Sequence, residues 1–222
     1  MNNTETDVTY KDEYVSRGGQ KLEKALDFFA ISPEGKVCID SGASTGGFTD
    51  CLLKRNAKLV YAIDVGYGQL AWTLRTDSRV ITMERTNIRY VTPEMLSETP
   101  QLAVLDLSFI SLALVLPVIK NLLTDNGEVI CLIKPQFEAG KGKVGKKGVI
   151  RDPKIHTEVL DNFIQSANNS GFDVKNITYS PVKGPKGNIE YLAALNRTQP
   201  DQTVLTQHDT KQIVSQSHID LS

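Results

Sequence analysis

Apolar residues fall in short blocks along this chain, and the blocks alternate between two periods. Leu22, Ala25, Leu26 and Phe29 recur at helical spacing and predict a helix over Gln20–Ala30. Lys36–Asp40 is a short apolar run that enters a glycine-rich turn, and Phe48–Arg55 reads as the next helix. Leu59–Asp64 predicts a second strand ending in an acid. Gln69–Arg75 predicts a helix, Val80–Met83 a third strand and Leu102–Leu107 a fourth. Leu112–Leu123 is an apolar helix, and Glu128–Ile133 a fifth strand stopped by Pro135, which has no N–H for a ladder. Asp152 and Pro153 read as an N-cap followed by proline at the first helical position. Ile155, Val159, Phe163 and Ala167 mark the buried face of the helix they open, which stops at Asn169–Gly171. Phe172–Tyr179 and Glu190–Leu195 close the pattern as a hairpin.

Near-continuous apolar strands alternating with helices imply an α/β fold. The expectation is a Rossmann-like, mostly parallel sheet of seven strands, with helices on both faces and a terminal antiparallel hairpin. Ligands of such sheets bind beyond the carboxyl ends of the strands. The flanks differ in character. Residues 1–13 are acidic and polar, and 198–222 are rich in Gln, Thr and Ser, so a disordered arm and a disordered tail are expected around one domain at 14–197.

The 222 residues are enough for one full core and short for two. Three cysteines, Cys38, Cys51 and Cys131, stand far apart, which fits a reducing compartment and no disulfide framework. Two of three histidines fall in the polar tail, so no metal site is expected. No apolar run approaches membrane-spanning length and the N-terminus lacks a signal-peptide core, so the cytoplasm is the expected compartment.

The strongest chemical signal is Asp40–Phe48, where Gly42, Gly46 and Gly47 lie between a strand and a helix. Glycines there let the backbone turn sharply and approach a ligand. The spacing is neither the dinucleotide fingerprint nor a P-loop, and a plain tight turn is the less favoured alternative for these glycines. Asp64 ends the next strand, where a carboxylate can hold both hydroxyls of a ribose. Asp106 and Lys134 end two further strands at the same sheet edge. A lone lysine there is most simply a snorkelling surface residue; its pairing with Asp106 argues otherwise. Gly140, Gly145, Lys146 and Lys147 imitate a P-loop but lack the Ser or Thr that holds magnesium.

Taken together, Ser16–Leu22, Asp40–Asp50, Ile63–Leu70, Asp106–Leu112, Ile133–Glu138, Gly148–Asp152 and Gly184–Glu190 resemble the TlyA/hemolysin A family, which groups with the FtsJ-type ribose 2′-O-methyltransferases. The resemblance covers about residues 14–196. It implies a class I methyltransferase domain that uses S-adenosylmethionine on cytidine ribose in ribosomal RNA or ribosomal subunits. It implies a catalytic tetrad at Lys21, Asp106, Lys134 and Glu190. Cofactor contacts fall at Gly42, Ala43, Ser44, Gly46, Gly47, Phe48 and Asp64, with Glu84 and Asn87 toward the adenine. Phosphate contacts fall at Arg17, Lys141, Lys143, Lys146, Lys147 and Arg151. The family usually carries a small N-terminal RNA-binding module, for which this sequence leaves no room before Ser16. A membrane-active hemolysin, a non-catalytic RNA-binding relic and a nicotinamide oxidoreductase are the competing readings.

The net charge of −1 argues at first against a nucleic-acid partner. Its layout changes that. Residues 1–13 carry −3 and 198–222 carry −2, which leaves +4 on the body. Within the body, 134–151 hold six basic residues against Glu138 alone. Such a stretch suits phosphate contacts beside an acceptor site, although a charge run is also commonly a solvated loop.

Overall fold

The computed structural model describes residues 14–140, 142–145, 148–198 and 209–221. Seven helices are seen among them: α1 (Gly18–Phe29), α2 (Gly47–Lys54), α3 (Trp72–Arg75), α4 (Leu116–Leu122), α5 (Pro135–Glu138), α6 (Pro153–Asn169) and α7 (Thr210–Asp220). The strands are β1 (Val37–Ser41), β2 (Leu59–Ile63), β3 (Val80–Met83), β4 (Leu102–Leu105), β5 (Glu128–Ile133), β6 (Phe172–Tyr179) and β7 (Tyr191–Arg197). They form one sheet in the order β3-β2-β1-β4-β5-β7-β6. All pairings are parallel except those of β7, which runs antiparallel to both its neighbours.

Alternation along the strands builds two cores. Ile39, Tyr61, Ile63, Leu105 and Cys131 point to one face, where Leu116, Ile119, Leu160 and Phe163 of α4 and α6 cover them. Cys38, Val60, Ala62, Val104 and Leu132 point to the other, against Leu22 and Leu26 of α1 and Leu52 of α2. With both faces covered, a strand is buried at every position, and β1 is buried throughout. That includes Asp40, a carboxylate inside the sheet. Strand order reverses between β1 and β4, so a crevice opens beyond their carboxyl ends.

Three elements differ from the sequence reading. The segment from Leu112 to Leu123 is not one helix: a 3₁₀ turn at Leu112–Leu114 precedes α4. Pro117 cannot donate within a continuous helix and sits instead in the first turn of α4, where no intrahelical donor is required. The helix predicted over Gln69–Arg75 is only the single turn α3.

The third difference is α7, which lies inside the segment read as a disordered tail. Asp209 caps it by accepting the Gln212 N–H at 2.8 Å. Val214 and Ser217 are buried, and Ile213 and Leu221 pack onto the α6 side of the core. A narrow apolar face is enough to dock a helix, and a composition average over 25 residues hides it. The expected arm, 1–13, and the rest of that tail, 199–208 and 222, lie outside the described residues.

Candidate active site

β1 delivers the chain into the crevice at Gly42, whose φ is +85°. A Cβ at Gly42 would lie 2.3 Å from the Asp106 carbonyl oxygen, so only glycine lets the β1 and β4 ends approach this closely. The Gly42 and Ala43 N–H groups donate to the Ile63 carbonyl, which fastens the loop to β2. A cleft of about 770 Å³ opens beside it, lined by Gly42, Ser44, Asp64, Asn87, Asp106 and Leu107 among others. That is ample for a nucleoside-sized ligand. A smaller hollow of about 210 Å³ adjoins it, lined by Arg17, Lys21, Ala43, Gly47, Phe48 and Asp106 among others.

Asp64 is held in place by two backbone donors. Its Oδ2 accepts the Ser44 N–H at 2.8 Å and its Oδ1 accepts the Gly66 N–H at 2.6 Å. Each oxygen keeps a lone pair for a further donor. Asp40 lies beneath the loop with one oxygen bonded by Thr49 Oγ1 at 2.6 Å and the other without a hydrogen-bond partner. Burial pushes its carboxyl up to about 7; the Thr49 bond opposes the shift and the nearby Asp106 charge adds to it.

Two expected cofactor residues line neither the cleft nor the hollow. Glu84 pairs with Arg75 and accepts the Gly68 N–H, so its carboxylate secures the turn after β2. Gly46 caps α2 with φ +99° and packs against Leu70 and Leu74. Asn87 does line the cleft, and its side chain also accepts the Arg89 N–H. Thr86 and Ile88 join it there.

The four residues expected as a tetrad form two ion pairs. Lys21 Nζ lies 2.6 Å from Glu190 Oε2, with both side chains buried. Lys134 Nζ lies 2.6 Å from Asp106 Oδ1 and donates to Ser108 Oγ at 3.0 Å. Gln136 Nε2 reaches Glu190 Oε1 at 3.4 Å, so the start of α5 touches both pairs. A Cβ at Gly184 would meet Glu190 Oε1 at 2.4 Å, which explains a glycine at the head of the loop that ends in Glu190.

The rim holds residues that periodicity did not reveal. Phe109 follows β4 with φ +64°, is 90% exposed and packs on Phe137 at 4.8 Å between ring centroids. Arg85 stacks over the exposed Tyr67, and Arg89 lies over the exposed Tyr90. The only advance signal was their position in the loops that follow β2, β3 and β4. Of the expected phosphate contacts, Arg17 lines the smaller hollow, Arg151 is exposed, and Lys143 is turned to an ion pair with Glu158. Lys141, Lys146 and Lys147 lie outside the described residues.

Residues 14–197 match the FtsJ-like methyltransferase family. The chain belongs to that family. It is 49% identical over 191 residues to the 16S/23S rRNA (cytidine-2′-O)-methyltransferase TlyA of Mycobacterium tuberculosis, covering 86% of this chain and 71% of that one. It is 50% identical over 188 residues to hemolysin A of Brachyspira hyodysenteriae, covering 84% and 78%. A solved hemolysin-named protein from Streptococcus thermophilus superposes with a TM-score of 0.91 at 48% identity, covering 96% and 77%. Among the described residues no helix is long and apolar enough to cross a membrane.

Proposed function

We propose that this chain methylates the 2′-hydroxyl of a cytidine ribose in ribosomal RNA, with S-adenosylmethionine as donor. The observation that carries the reading is the Lys134–Asp106 pair at the mouth of a nucleoside-sized cleft, in a chain about half identical to an rRNA (cytidine-2′-O)-methyltransferase. The residues fit the cofactor. Asp64 offers lone pairs to ribose hydroxyls, Gly42 lets the loop after β1 close against the end of β4 beside the cleft, and Asn87 lines that cleft. Bound S-adenosylmethionine supplies a methyl group already activated on a sulfonium.

A ribose hydroxyl is a poor nucleophile because it holds its proton well above neutral pH. Asp106 and Ser108 hold Lys134 Nζ at the cleft edge, where it handles the proton or the developing charge on the 2′-oxygen. Lys21 and Glu190 hold the ribose from the hollow side. Two cations against two carboxylates balance, so the cluster tolerates partial burial. Phe109 offers a flat apolar face for a base, since base–aromatic stacking needs no sequence match. Arg17, Arg85, Arg89 and Arg151, with the lysines of 141–147, suit the phosphates. The workplace is then the cytoplasm, on ribosomal subunits or their RNA.

The test is Lys134→Ala, assayed with labelled S-adenosylmethionine and ribosomal particles. Transfer falls by roughly 10²–10³-fold while calorimetric cofactor binding is kept. Full transfer by this variant overturns the assignment.

A further inference from the structure

Glu138 is a carboxylate in an unexpected place. It lies at the end of α5, half-buried, and among the described residues no ion pair joins it to a cation. Burial pushes its carboxyl up from the ordinary range. A desolvated carboxylate without a cation is costly and calls for a compensating role. Its two bonds both go to the segment that follows Asp106: Ser111 Oγ donates to Oε2 at 2.7 Å and the Leu112 N–H donates to Oε1 at 2.9 Å.

Capping alone does not explain this. Ser111 already caps the 3₁₀ turn, its Oγ accepting the Ala113 N–H. The wider pattern is a zipper between residues 106–112 and 134–138. Asp106 meets Lys134, Ser108 meets Lys134, Phe109 packs on Phe137, and Ser111 and Leu112 meet Glu138. The backbone closes the linkage, because the Glu138 N–H donates to the Lys134 carbonyl at 3.2 Å and the Phe137 N–H donates to it at 2.9 Å. Moving Glu138 therefore moves the residue that carries the reacting lysine.

We propose that Glu138 is a positioning residue that holds Lys134 and Asp106 in register by locking α5 to the segment after β4. This rests on the catalytic reading of Lys134 and Asp106 given above. Small displacements of an aligned group are expensive in rate, since about 1 Å can cost 10²-fold.

The experiment compares Glu138→Ala, Glu138→Gln and Ser111→Ala in the full chain, well below their melting temperatures. In Glu138→Ala, kcat falls at least about tenfold, while KM for ribosomal substrate and Kd for S-adenosylmethionine stay within about threefold. Glu138→Gln keeps an acceptor for the Leu112 N–H and returns kcat to within about threefold of the parent. A lowered melting temperature with unchanged kcat overturns the proposal and leaves Glu138 a cap. If Glu138→Ala does not fold, Ser111→Ala decides: a drop in kcat alone supports the proposal, and an unchanged kcat overturns it. Lys134→Ala is run beside them. Transfer by that variant sinks the catalytic reading itself, whereas its failure alongside a fully active Glu138→Ala sinks only the positioning role.

Discussion

Lys21 and Glu190 stand 169 positions apart in sequence and 2.6 Å apart in space, with side chains 8% and 1% exposed. The pair ties α1, at the front of the domain, to the residue that precedes β7 at its end. Removing one partner strands a buried charge. Glu190→Ala is therefore expected to lose about 3–5 kcal/mol of stability. Replacing both, as Lys21→Met with Glu190→Leu, restores most of that loss and still abolishes methyl transfer. Urea unfolding beside an activity assay checks both halves; a stable but fully active double variant would show that the pair serves folding alone.

Asp40 links stability to pH in an unusual direction. Its carboxyl sits at about 7 when folded, against 3.8 as the ordinary value, because burial penalises the charge. Between those values the folded state holds a proton that the unfolded chain has released. Stability from this group is thus complete below about pH 4 and is lost as pH rises through 7, by up to about 4 kcal/mol. Asp40→Asn, which can still accept the Thr49 hydroxyl, flattens this slope. Unfolding curves at pH 5 and pH 8 for both proteins settle it; parallel slopes would count against it.

His156 works in the opposite sense. Its Nε2 lies 3.1 Å from the Ile150 carbonyl and must donate to it, so Nδ1 accepts from the Tyr191 hydroxyl at 2.7 Å. Burial holds the ring down to about 4, with the adjacent His218 pushing the same way and Asp152 opposing. The unfolded chain gains a proton near pH 6.5 that the folded ring refuses. Stability therefore falls as pH drops from 6.5 toward 4. His156→Gln should remove this acid sensitivity, read as the melting temperature across pH 4–7.

Gly42 and Gly35 make a matched pair for testing the loop. Both have positive φ, but a Cβ at Gly35 meets nothing within 4 Å, whereas one at Gly42 meets the Asp106 carbonyl. Gly35→Ala is expected to cost about 1–2 kcal/mol from backbone strain alone and to leave cofactor binding intact. Gly42→Ala costs more and abolishes calorimetric binding of S-adenosylmethionine. Equal binding by the two variants would mean that the β1–β4 approach does not shape the site.

The chemistry-bearing edge was legible in sequence because a parallel sheet repeats one rule. Each buried strand ends at the same edge, so Asp64, Asp106 and Lys134 could be placed together from the ends of apolar runs alone. Lys21 and Glu190 could not. Neither closes a strand of the parallel set, and only the motif resemblance brought them in. Glu84 shows the limit of the strand-end rule: it follows β3 as expected, yet Arg75 and the Gly68 N–H claim it.

By itself the sequence determined the alternation of elements, the parallel sheet and the residue types at its carboxyl edge. Those follow from local periodicity, which is written in neighbours two to four positions apart. Tertiary structure decided the rest: that α7 docks, that the four residues expected as a tetrad stand as two ion pairs, and that Glu138 bonds the segment that follows Asp106. Each depends on contacts between residues far apart in the chain, where spacing carries no signal and only packing chooses the partner.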